Sequence, residues 1–453
     1  MFSKILVANR GEIALRIIRS AKELGLKTVA VYSEPDKSSL HTMLADENIC
    51  IGPGKASESY LSIPNIMSAA EITKADAIHP GYGFLAENPR FPEICESSGI
   101  TFIGPPAFIM RMMGDKNKAR QAMKKAKLPI IPGSDQTIDD LNEANKIAEK
   151  IGYPVILKAA SGGGGKGMRI AKSSAKLEEQ FAIAQGEAKA AFGNPALYLE
   201  KYFEAARHIE IQVVGDKKGK VMAFAERECS IQRKHQKLVE ETPSPFVDER
   251  FRKKIIRAVE EASHSIGYQS LGTFEFLVDK KKRFYFMEAN TRVQVEHPVT
   301  EMVYGIDLIR EQINLAAGES LSFSHDLHMN GHSLECRINA EDAKTFLPSP
   351  GKINFLVFPG GTGVRVDTAA YCGCNIPPDY DSLIAKIVTV APNRMEAIAK
   401  MRTALEMTTV VGIKTNIPLH LELLSNSEFI KGDYDIQFME RFLTKGQAQD
   451  SKN

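Results

Sequence analysis

The sequence predicts a protein that joins an α/β region to an α+β region, and two patterns predict it. In the first hundred residues, short apolar runs such as Ile5 to Ala8 and Thr28 to Tyr32 alternate with helical periodicity, as from Glu12 to Leu24. This alternation is typical of βαβ units around a parallel sheet. From Ile209 onward polar and apolar residues alternate, which predicts a large antiparallel sheet. We therefore expect a doubly wound amino-terminal α/β domain and a β-rich remainder.

The middle of the chain predicts elements of both kinds. A helix is expected from Lys116 to Lys127, followed by Pro129 and Pro132 as helix stops. A second α/β stretch runs from Asp139 to about Tyr202. The further predicted strands are Ala75 to Ile78, Tyr153 to Ala159, Met168 to Ala171, Ala223 to Arg227 and those within the stretch Thr273 to Glu296, and the further helices are Ala175 to Ala191 and Met395 to Leu405.

Composition limits the classes of function. The net charge is only +2 over 453 residues, so no global field attracts nucleic acid or an anionic membrane, and any anion site must be local. The six cysteines are scattered, as in proteins with reduced thiols, and the close pair Cys372 and Cys374 lacks zinc-finger spacing. The opening apolar run is too broken for a signal peptide, and no window suits a membrane span. We expect a cytoplasmic protein.

A glycine run from Ser161 to Gly167 reads Ser-Gly-Gly-Gly-Gly-Lys-Gly. Its backbone N–H groups are open to phosphate oxygens, and Lys166 adds a positive charge. A dinucleotide-binding fingerprint would need a helix directly after the loop, but the residues from Met168 predict a strand, and the run also lacks the Walker A ending. The remaining interpretations are a hairpin tip that closes over a triphosphate and a merely mobile loop. Lys158 on the incoming strand favours the first.

A stripe of polar residues occupies every second position from Glu288 to Glu296. In an extended chain these side chains share one face. A polar turn from Asp279 to Arg283 predicts a hairpin that brings Glu275 nearly opposite Glu288. Two carboxylates about 5 Å apart across strands repel, by roughly 3 kcal/mol at an effective dielectric constant near 20. Glu275, Glu288 and Asn290 therefore predict a magnesium site, against the alternative of a solvated edge strand.

Two further segments carry candidate ligands. Gln232 to Lys237 reads Gln-Arg-Lys-His-Gln-Lys, which lacks the interleaved aromatic residues of a single-strand nucleic-acid surface. We expect His235 and Lys237 to alternate on one face and clamp phosphates. Arg337 lies in an alternating segment with Glu335 on the same side, and by itself such an arginine is better explained as a salt-bridge partner than as a catalytic residue. Near Gly81 and Gly83, Tyr82 and Glu87 are candidates for a ligand crevice.

Several longer motifs accompany these segments. They read His79-Pro-Gly-Tyr-Gly-Phe84, Met113-Gly-Asp-Lys116, Glu226-Arg-Glu-Cys-Ser230, Glu288-Ala-Asn-Thr-Arg-Val-Gln-Val-Glu-His-Pro298 and Glu335-Cys-Arg-Ile-Asn-Ala-Glu341. Together they resemble the biotin carboxylases of the ATP-grasp superfamily over nearly the whole chain. The resemblance implies an amino-terminal α/β domain (1–115), an ATP-grasp domain (116–330) with a mobile lid near 131–203, and a carboxyl-terminal β-rich biotin carboxylase domain (331–446).

The resemblance also implies roles for individual residues. Those expected to bind ATP are Lys116, Lys158, Gly163, Gly164, Gly165, Lys166, Met168, Glu200, Lys201, His208, Gln232, His235, Lys237, Glu275 and Glu288. Glu275, Glu288 and Asn290 would hold two Mg²⁺ or Mn²⁺ ions. Arg292, Gln294 and Val295 would bind bicarbonate, with Tyr82 and Arg337 at the biotin. The catalytic set is Glu296 as general base together with Arg292, Arg337 and Lys237.

The implied function is ATP-dependent carboxylation of biotin by bicarbonate through carboxyphosphate. The nearest approach to a biotin-attachment motif, Ala122-Met-Lys-Lys125, lies in a predicted helix, so we expect the biotin on a separate carrier protein. Carboxyltransferase subunits and a second copy of the chain are the other expected partners. The implied pathway is acetyl-CoA carboxylation for fatty acid synthesis, with a pyruvate or other acyl-CoA carboxylase as the alternative. Competing interpretations are another ATP-grasp ligase, a non-enzymatic ATP-binding regulator and a nucleotide-dependent oxidoreductase.

Overall fold

The first hundred residues form a five-stranded parallel sheet in the order β3-β2-β1-β4-β5. The structure is a computed structural model that describes residues 2–160, 168–324 and 326–450. Alternate residues of β1 face opposite sides: Ile5 and Val7 pack in the core with helix α1, whereas Leu6 packs in the core with α3 and α4. The elements are β1 (Lys4–Val7), α1 (Gly11–Glu23), β2 (Lys27–Tyr32), α2 (Leu40–Leu44), β3 (Glu47–Cys50), α3 (Ile63–Thr73), β4 (Ala77–His79), α4 (Arg90–Ser97), β5 (Thr101–Phe102) and α5 (Ala107–Gly114). The predicted doubly wound α/β domain is confirmed.

A small antiparallel sheet, ordered β7-β6-β8, follows. Asp115 caps the helix α6 by accepting hydrogen bonds from the backbone N–H groups of Asn117 and Lys118, and α6 ends two residues before the predicted Lys127. The elements are α6 (Lys116–Lys125), α7 (Leu141–Ile151), β6 (Val155–Ala159), β7 (Met168–Ala171), α8 (Ser174–Phe192) and β8 (Leu197–Lys201). The two strands that flank the glycine run are therefore neighbours, as predicted, while the run itself lies outside the described residues.

A nine-stranded antiparallel sheet dominates the rest of the molecule. Its strands are ordered β14-β13-β9-β11-β12-β15-β20-β18, with β10 paired to β9. The first elements are β9 (Arg207–Gly215), β10 (Val221–Ala223), β11 (Arg227–Arg233), β12 (Gln236–Thr242), α9 (Glu249–Ser265), β13 (Ser270–Val278), β14 (Phe284–Asn290), α10 (His297–Tyr304) and α11 (Leu308–Ala316). The predicted large antiparallel sheet is confirmed.

The carboxyl-terminal elements complete this sheet and cover it. They are β15 (His332–Asn339), β16 (Gly351–Lys352), β17 (Phe355–Val357), β18 (Val364–Thr368), β19 (Asn375–Ile376), β20 (Leu383–Ala391), α12 (Arg394–Glu406), β21 (Thr409–Val411), α13 (Ile417–Ser425), α14 (Ser427–Lys431) and α15 (Phe438–Asp450). Because β12 pairs with β15, the sheet continues across the boundary predicted at residue 330. The predicted domain limits stay predictions. In the described ranges, no helix is both long enough and apolar enough to cross a membrane.

One predicted strand, Ala223 to Arg227, is wrong. The chain leaves β10 after Ala223 and enters β11 only at Arg227. Between them the side chain of Phe224 is fully buried against Tyr304, and the N–H of Ala225 donates to the Tyr304 hydroxyl at 3.0 Å rather than to a neighbouring strand. The Phe224 N–H still donates to the Gln212 carbonyl of β9 at 3.0 Å, so pairing with β9 stops after Phe224, where the Tyr304 hydroxyl becomes the acceptor.

The close approach of β9 to the loop before β13 predicts a matched pair of glycine variants. A Cβ at Gly215 would lie 2.2 Å from the carbonyl oxygen of Tyr268, so we expect Gly215→Ala to destabilise the fold by about 1–3 kcal/mol. Gly186 lies in α8 with nothing near its would-be Cβ, and Gly186→Ala should stabilise by about 0.5–1 kcal/mol. Thermal unfolding of both variants checks this, and a Gly215→Ala midpoint at or above the parent value would contradict it.

Candidate active site

Three carboxylates line up across neighbouring strands of the large sheet. Glu275 on β13 is paired in register with Glu210 on β9 and with Glu288 on β14, as the predicted hairpin requires. Lys237 from β12 reaches this row, and its Nζ lies 2.6 Å from Glu210 and 3.1 Å from Glu275. The same Nζ lies 2.5 Å from Glu296, which immediately precedes α10. One ammonium therefore holds three carboxylates from three parts of the chain.

The charges of this cluster fix its protonation states. Burial lowers the pKa of Lys237, but the charges of Glu210, Glu275 and Glu296 outweigh it and raise that pKa well above the ordinary lysine value. Glu296 is completely buried, which raises its pKa, yet Lys237, Arg337 and Arg227 hold its pKa well below the ordinary carboxyl range. Lys237 is thus a cation and Glu296 an anion at neutral pH.

Glu275 collects donors from several elements. His208 Nε2 lies 3.0 Å from its Oε2, and Asn290 Nδ2 and Gln294 Nε2 each donate to its Oε1 at 2.9 Å. Burial raises the pKa of Glu275, and the charges of Lys237 and His208 more than reverse that effect. This carboxylate is ionised and firmly oriented, with its neighbours restricting it to one position.

Glu288 is the exception in the row. Within the described residues it has no hydrogen bond or salt bridge, and its pKa is raised by burial and by the charge of Glu275. The charge of Lys116, at the start of α6, partly offsets this. Such a carboxylate beside an ionised one, with Asn290 two residues further along the same strand, fits a divalent cation with hard oxygen ligands.

Arg337 on β15 bridges two carboxylates. Its Nε donates to Glu240 Oε1 at 2.6 Å, and its Nη2 donates to Glu296 Oε2 at 2.8 Å. Glu296 therefore receives Lys237 on one oxygen and Arg337 on the other. The salt-bridge interpretation of Arg337 is correct as geometry, but the partners are Glu240 and Glu296 and not the neighbouring Glu335.

Arg292 and Gln294 lie beside this cluster. The Arg292 guanidinium contacts Glu87 at 3.0 Å, the Asn290 amide oxygen at 2.9 Å and the Gln294 amide oxygen at 3.1 Å. The Val295 carbonyl accepts a 3.0 Å hydrogen bond from Lys386 on β20. Glu87 and Lys386 thus hold Arg292 and the Val295 carbonyl from outside the stripe.

Tyr82 belongs to the same neighbourhood through Glu12. Its hydroxyl donates to Glu12, whose Oε1 lies 3.1 Å from Lys386 Nζ. Helix α1 and the loop after β4 thus reach β20 of the large sheet at this edge of the cluster.

Two details of the predicted pattern are wrong. The stripe from Glu288 to Glu296 is not one strand, because β14 ends at Asn290 and the chain bends before α10 begins at His297. Gln294 and Glu296 still face the cluster, since their contacts to Glu275 and Lys237 hold them there. His235 does not alternate with Lys237 in a strand: it lies in the exposed β11–β12 turn with φ of 66°.

A second group of predicted ATP-binding residues lies on the strands of the three-stranded sheet. Lys158 Nζ lies 2.5 Å from Glu200, and Arg120 on α6 lies 3.2 Å from the other oxygen of the same carboxylate. Met168 is the register partner of Lys158. Helix α6 connects the two groups, because Arg120 follows Lys116 by one turn.

The remaining predicted ligands differ in their environment. Lys201 donates to the carbonyls of Gly152 and Tyr153 at 2.9 and 2.8 Å, so its ammonium is held away from Glu200. Gln232 lies 3.5 Å from His208 Nδ1. The predicted contacts of Gly163, Gly164, Gly165 and Lys166 lie outside the described residues.

Comparison with known families accounts for almost the whole chain. Residues 1–110 match the model for the biotin carboxylase N-terminal domain, residues 115–324 match the carbamoyl-phosphate synthase L chain ATP binding domain, and residues 335–441 match the biotin carboxylase C-terminal domain. A biotin carboxylase of Haemophilus influenzae is 55% identical over 98% of this chain and 99% of its own. The chain belongs to the biotin carboxylase family.

Other similar proteins include a subunit of a pyruvate carboxylase, a biotin carboxylase and a domain of a 2-oxoglutarate carboxylase. One of the subunits of a pyruvate carboxylase from Methanothermobacter thermautotrophicus is 50% identical over 98% of this chain and 90% of its own. A biotin carboxylase structure of Campylobacter jejuni, in a complex described as β-γ-ATP, superposes with a TM-score of 0.93 at 51% identity, covering 97% and 99% of the two chains. A biotin carboxylase domain dimer of the Hydrogenobacter thermophilus 2-oxoglutarate carboxylase, with MgADP, ADP and bicarbonate, superposes with a TM-score of 0.90 at 48% identity, covering 97% and 98%. The predicted family and fold class are confirmed.

From the sequence we did not identify three buried residues that hold the charged groups of the site, namely Glu210, Arg227 and Glu240. Glu210 holds Lys237, and the fully buried Arg227 contacts Glu210, Gln212, Thr273 and Thr300. Glu240 holds Arg337. One signal was available for Glu210: His208, Glu210 and Gln212 are polar residues at alternate positions, with the apolar Ile209 and Ile211 between them.

The burial of Arg227 predicts a large effect on stability. Arg227→Leu would leave a buried carboxylate, an amide oxygen and two hydroxyls without their donor, and we expect a loss of about 3–5 kcal/mol. The exposed Arg257, paired with Glu261 on α9, is the control, and Arg257→Leu should cost less than about 0.5 kcal/mol. Denaturant unfolding measures both. Equal losses in the two variants would show that the buried cluster is not a major source of stability.

Proposed function

We propose that this chain catalyses the carboxylation of biotin by bicarbonate and ATP, with the biotin presented on a separate carrier protein. The observation that carries the proposal is the position of Glu296, an ionised buried carboxylate held between Lys237 and Arg337. The cluster thereby contains a proposed base (Glu296), a cation for the ATP phosphates (Lys237) and a second cation for the biotin ureido oxygen (Arg337). The ATP-containing and bicarbonate-containing structures of relatives support the choice of substrates.

Glu275, Glu288 and Asn290 are the proposed ligands for Mg²⁺ or Mn²⁺, at two ions per site. Bound there, the metal would neutralise charge on the ATP phosphates. The Glu288 carboxylate supports this assignment because, among the described residues, it otherwise lies next to Glu275 without an ion-pair partner. Lys116, Lys158, Met168, Glu200, Lys201, His208, Gln232, His235 and the glycine run are the proposed ATP contacts.

The first step is proton removal from bicarbonate. Arg292, Gln294 and the Val295 backbone bind and orient bicarbonate, and Glu296 accepts its hydroxyl proton. An oxygen of the resulting carbonate attacks the γ-phosphorus, the bond from that phosphorus to the oxygen shared with the β-phosphate breaks, ADP leaves, and carboxyphosphate forms. Lys237 stabilises the charge on the transferring phosphoryl group. As Lys237 moves towards phosphate, Glu296 loses one of the charges that keep it acidic and becomes a better base.

The second step transfers CO₂. Carboxyphosphate breaks into CO₂ and phosphate, the phosphate removes the ureido N–H proton, and the biotin nitrogen attacks CO₂. Arg337 stabilises the negative charge on the ureido oxygen, with Tyr82 at the edge of the site. Arg337 is suited to this because its guanidinium already lies beside the proposed base.

The partners are proposed on the same basis. A separate carrier is supported by Ala122-Met-Lys-Lys125, the nearest approach to a biotin-attachment motif, which lies in helix α6 and not on a hairpin tip. A homodimer is supported by the dimer of the Hydrogenobacter relative. Acetyl-CoA is the proposed final acceptor, with carboxyltransferase subunits as the next partners and the cytoplasm as the location. Pyruvate is the alternative, favoured by the Methanothermobacter relative.

The metal assignment predicts a change in magnesium dependence. Glu288→Gln removes one anionic ligand, so the magnesium concentration for half-maximal ATP cleavage should rise by at least about 10-fold, because hard cations prefer carboxylate oxygens. Glu288→Lys should abolish turnover without unfolding the protein. The exposed variant Glu261→Gln is the control. A Glu288→Gln enzyme with the parent magnesium curve would remove Glu288 from the metal site.

The division between the two steps predicts that two variants uncouple differently. Glu296→Ala should lose bicarbonate-dependent ATP cleavage by about 10² to 10⁴, the range for a general base. Arg337→Ala should keep part of that cleavage while carboxybiotin formation falls by roughly 10² or more. ATP cleavage and carboxylation of free biotin are measured in parallel. Proportional losses of both reactions in both variants would refute the assigned roles.

A further inference from the structure

Two buried glutamates lie opposite each other behind Arg337. Glu240 on β12 and Glu335 on β15 are register partners, and both side chains are completely buried. Side chains directly opposite in an antiparallel pair lie about 5 Å apart on the same face. Two carboxylates at this spacing, away from water, repel strongly.

The counter-charge around this pair is unequal. Glu240 Oε1 accepts from Arg337, whereas both carboxyl oxygens of Glu335 and the Oε2 of Glu240 have no hydrogen-bond partner among the described residues. The cation that acts most on Glu335 is Lys386, whose ammonium is already held by Glu12 and the Val295 carbonyl. A buried carboxylate without donors is costly, so a proton on one of the two relieves the conflict.

The surrounding charges assign that proton to Glu335. Burial raises the pKa of Glu335 well above the ordinary value, Lys386 and Arg337 lower it, and Glu240 and Glu296 raise it further. Burial also raises the pKa of Glu240, to about 7, against the attraction of Arg337 and Lys237 and with the repulsion of Glu296. Near neutral pH, Glu335 is the acid, and Glu240 is the group that changes charge.

We propose that Glu335 keeps its proton, so that the single negative charge of the pair stays on Glu240 and positions Arg337 for biotin. Glu240 is thus a positioning residue, and this inference rests on the proposed role of Arg337. The negative charge of Glu240 is needed when Glu296 takes the bicarbonate proton, because Arg337 then loses one of its two anionic partners and keeps only Glu240. Without that charge, the guanidinium would have no fixed orientation towards the ureido oxygen.

The kinetic test uses the isosteric variants Glu240→Gln and Glu335→Gln with free biotin. Glu240→Gln should lower kcat/KM for biotin by about 10-fold or more, the scale of one hydrogen bond between charged groups, with little change in KM for ATP. In the parent enzyme, kcat/KM for biotin should fall as the pH drops below about 7, because Glu240 becomes neutral; Glu240→Gln should lack this limb. Glu240→Asp, which retains the charge, should recover part of the loss.

Glu335→Gln replaces a neutral acid with a neutral amide and tests the proton directly. A carboxyl that is protonated only in the folded state makes stability decline as pH rises above the ordinary carboxyl pKa, since the unfolded chain releases that proton. The thermal midpoint of the parent should therefore fall relative to Glu335→Gln between pH 6 and pH 8. The infrared C=O band of a protonated carboxyl should also be present in the parent and reduced in the variant.

The outcomes separate the inference from the proposed function. Parallel pH dependence of stability, or no loss of the infrared band, would show that Glu335 is ionised and overturn the inference even if Glu240→Gln does not fold. Parent biotin kinetics and an unchanged acidic limb in Glu240→Gln would also overturn it. If Arg337→Ala carboxylates biotin normally, the proposed function of Arg337 fails instead.

Discussion

The arrangement of the site depends on one ammonium group. Lys237 Nζ lies within 3.1 Å of carboxylates from β9, β13 and the segment before α10, which are separated by up to 86 residues in the chain (from Glu210 to Glu296). Removing three acidic groups from water is unfavourable unless cations and hydrogen bonds compensate. Lys237 and Arg227 supply that compensation, and their own burial is tolerated only because the carboxylates are there. Fold and site chemistry are therefore mutually dependent.

The continuous large sheet makes this cluster possible. Lys237 and Glu240 lie on β12, the strand through which the ATP-binding part pairs with the carboxyl-terminal strands. Lys237 points its charge towards β9 and β13, and Glu240 contacts Arg337 on β15. A rigid strand thus sets the distance between the group proposed to meet phosphate and the group proposed to meet biotin. Backbone pairing is better suited than a loop to hold two such groups in fixed relation.

Local patterns predicted part of this site, and long-range pairing determined the rest. The opposition of Glu275 and Glu288 follows from a hairpin with a short polar turn, so the sequence contains the information. The contacts of Glu210, Arg227 and Glu240 depend on β9 pairing with β13 and β12 pairing with β15, and no local pattern specifies those partners. The stripe does not form one strand, but its polar side chains still lie near one another. Contacts with Glu275 and Lys237, and not the alternation of a strand, fix the positions of Gln294 and Glu296.

The two cations on Glu296 connect basicity to substrate binding. In the resting arrangement Lys237 and Arg337 occupy both carboxyl oxygens and depress the pKa, so Glu296 is a weak base. Under the proposed roles, phosphate attracts Lys237 and the ureido oxygen attracts Arg337, and each departure raises the pKa of Glu296 because a stabilising charge has moved away. Glu296 would then be the strongest base when ATP and biotin are both bound. Glu296 therefore accepts the bicarbonate proton readily only when the phosphate and the biotin that take part in carboxyl transfer are already bound.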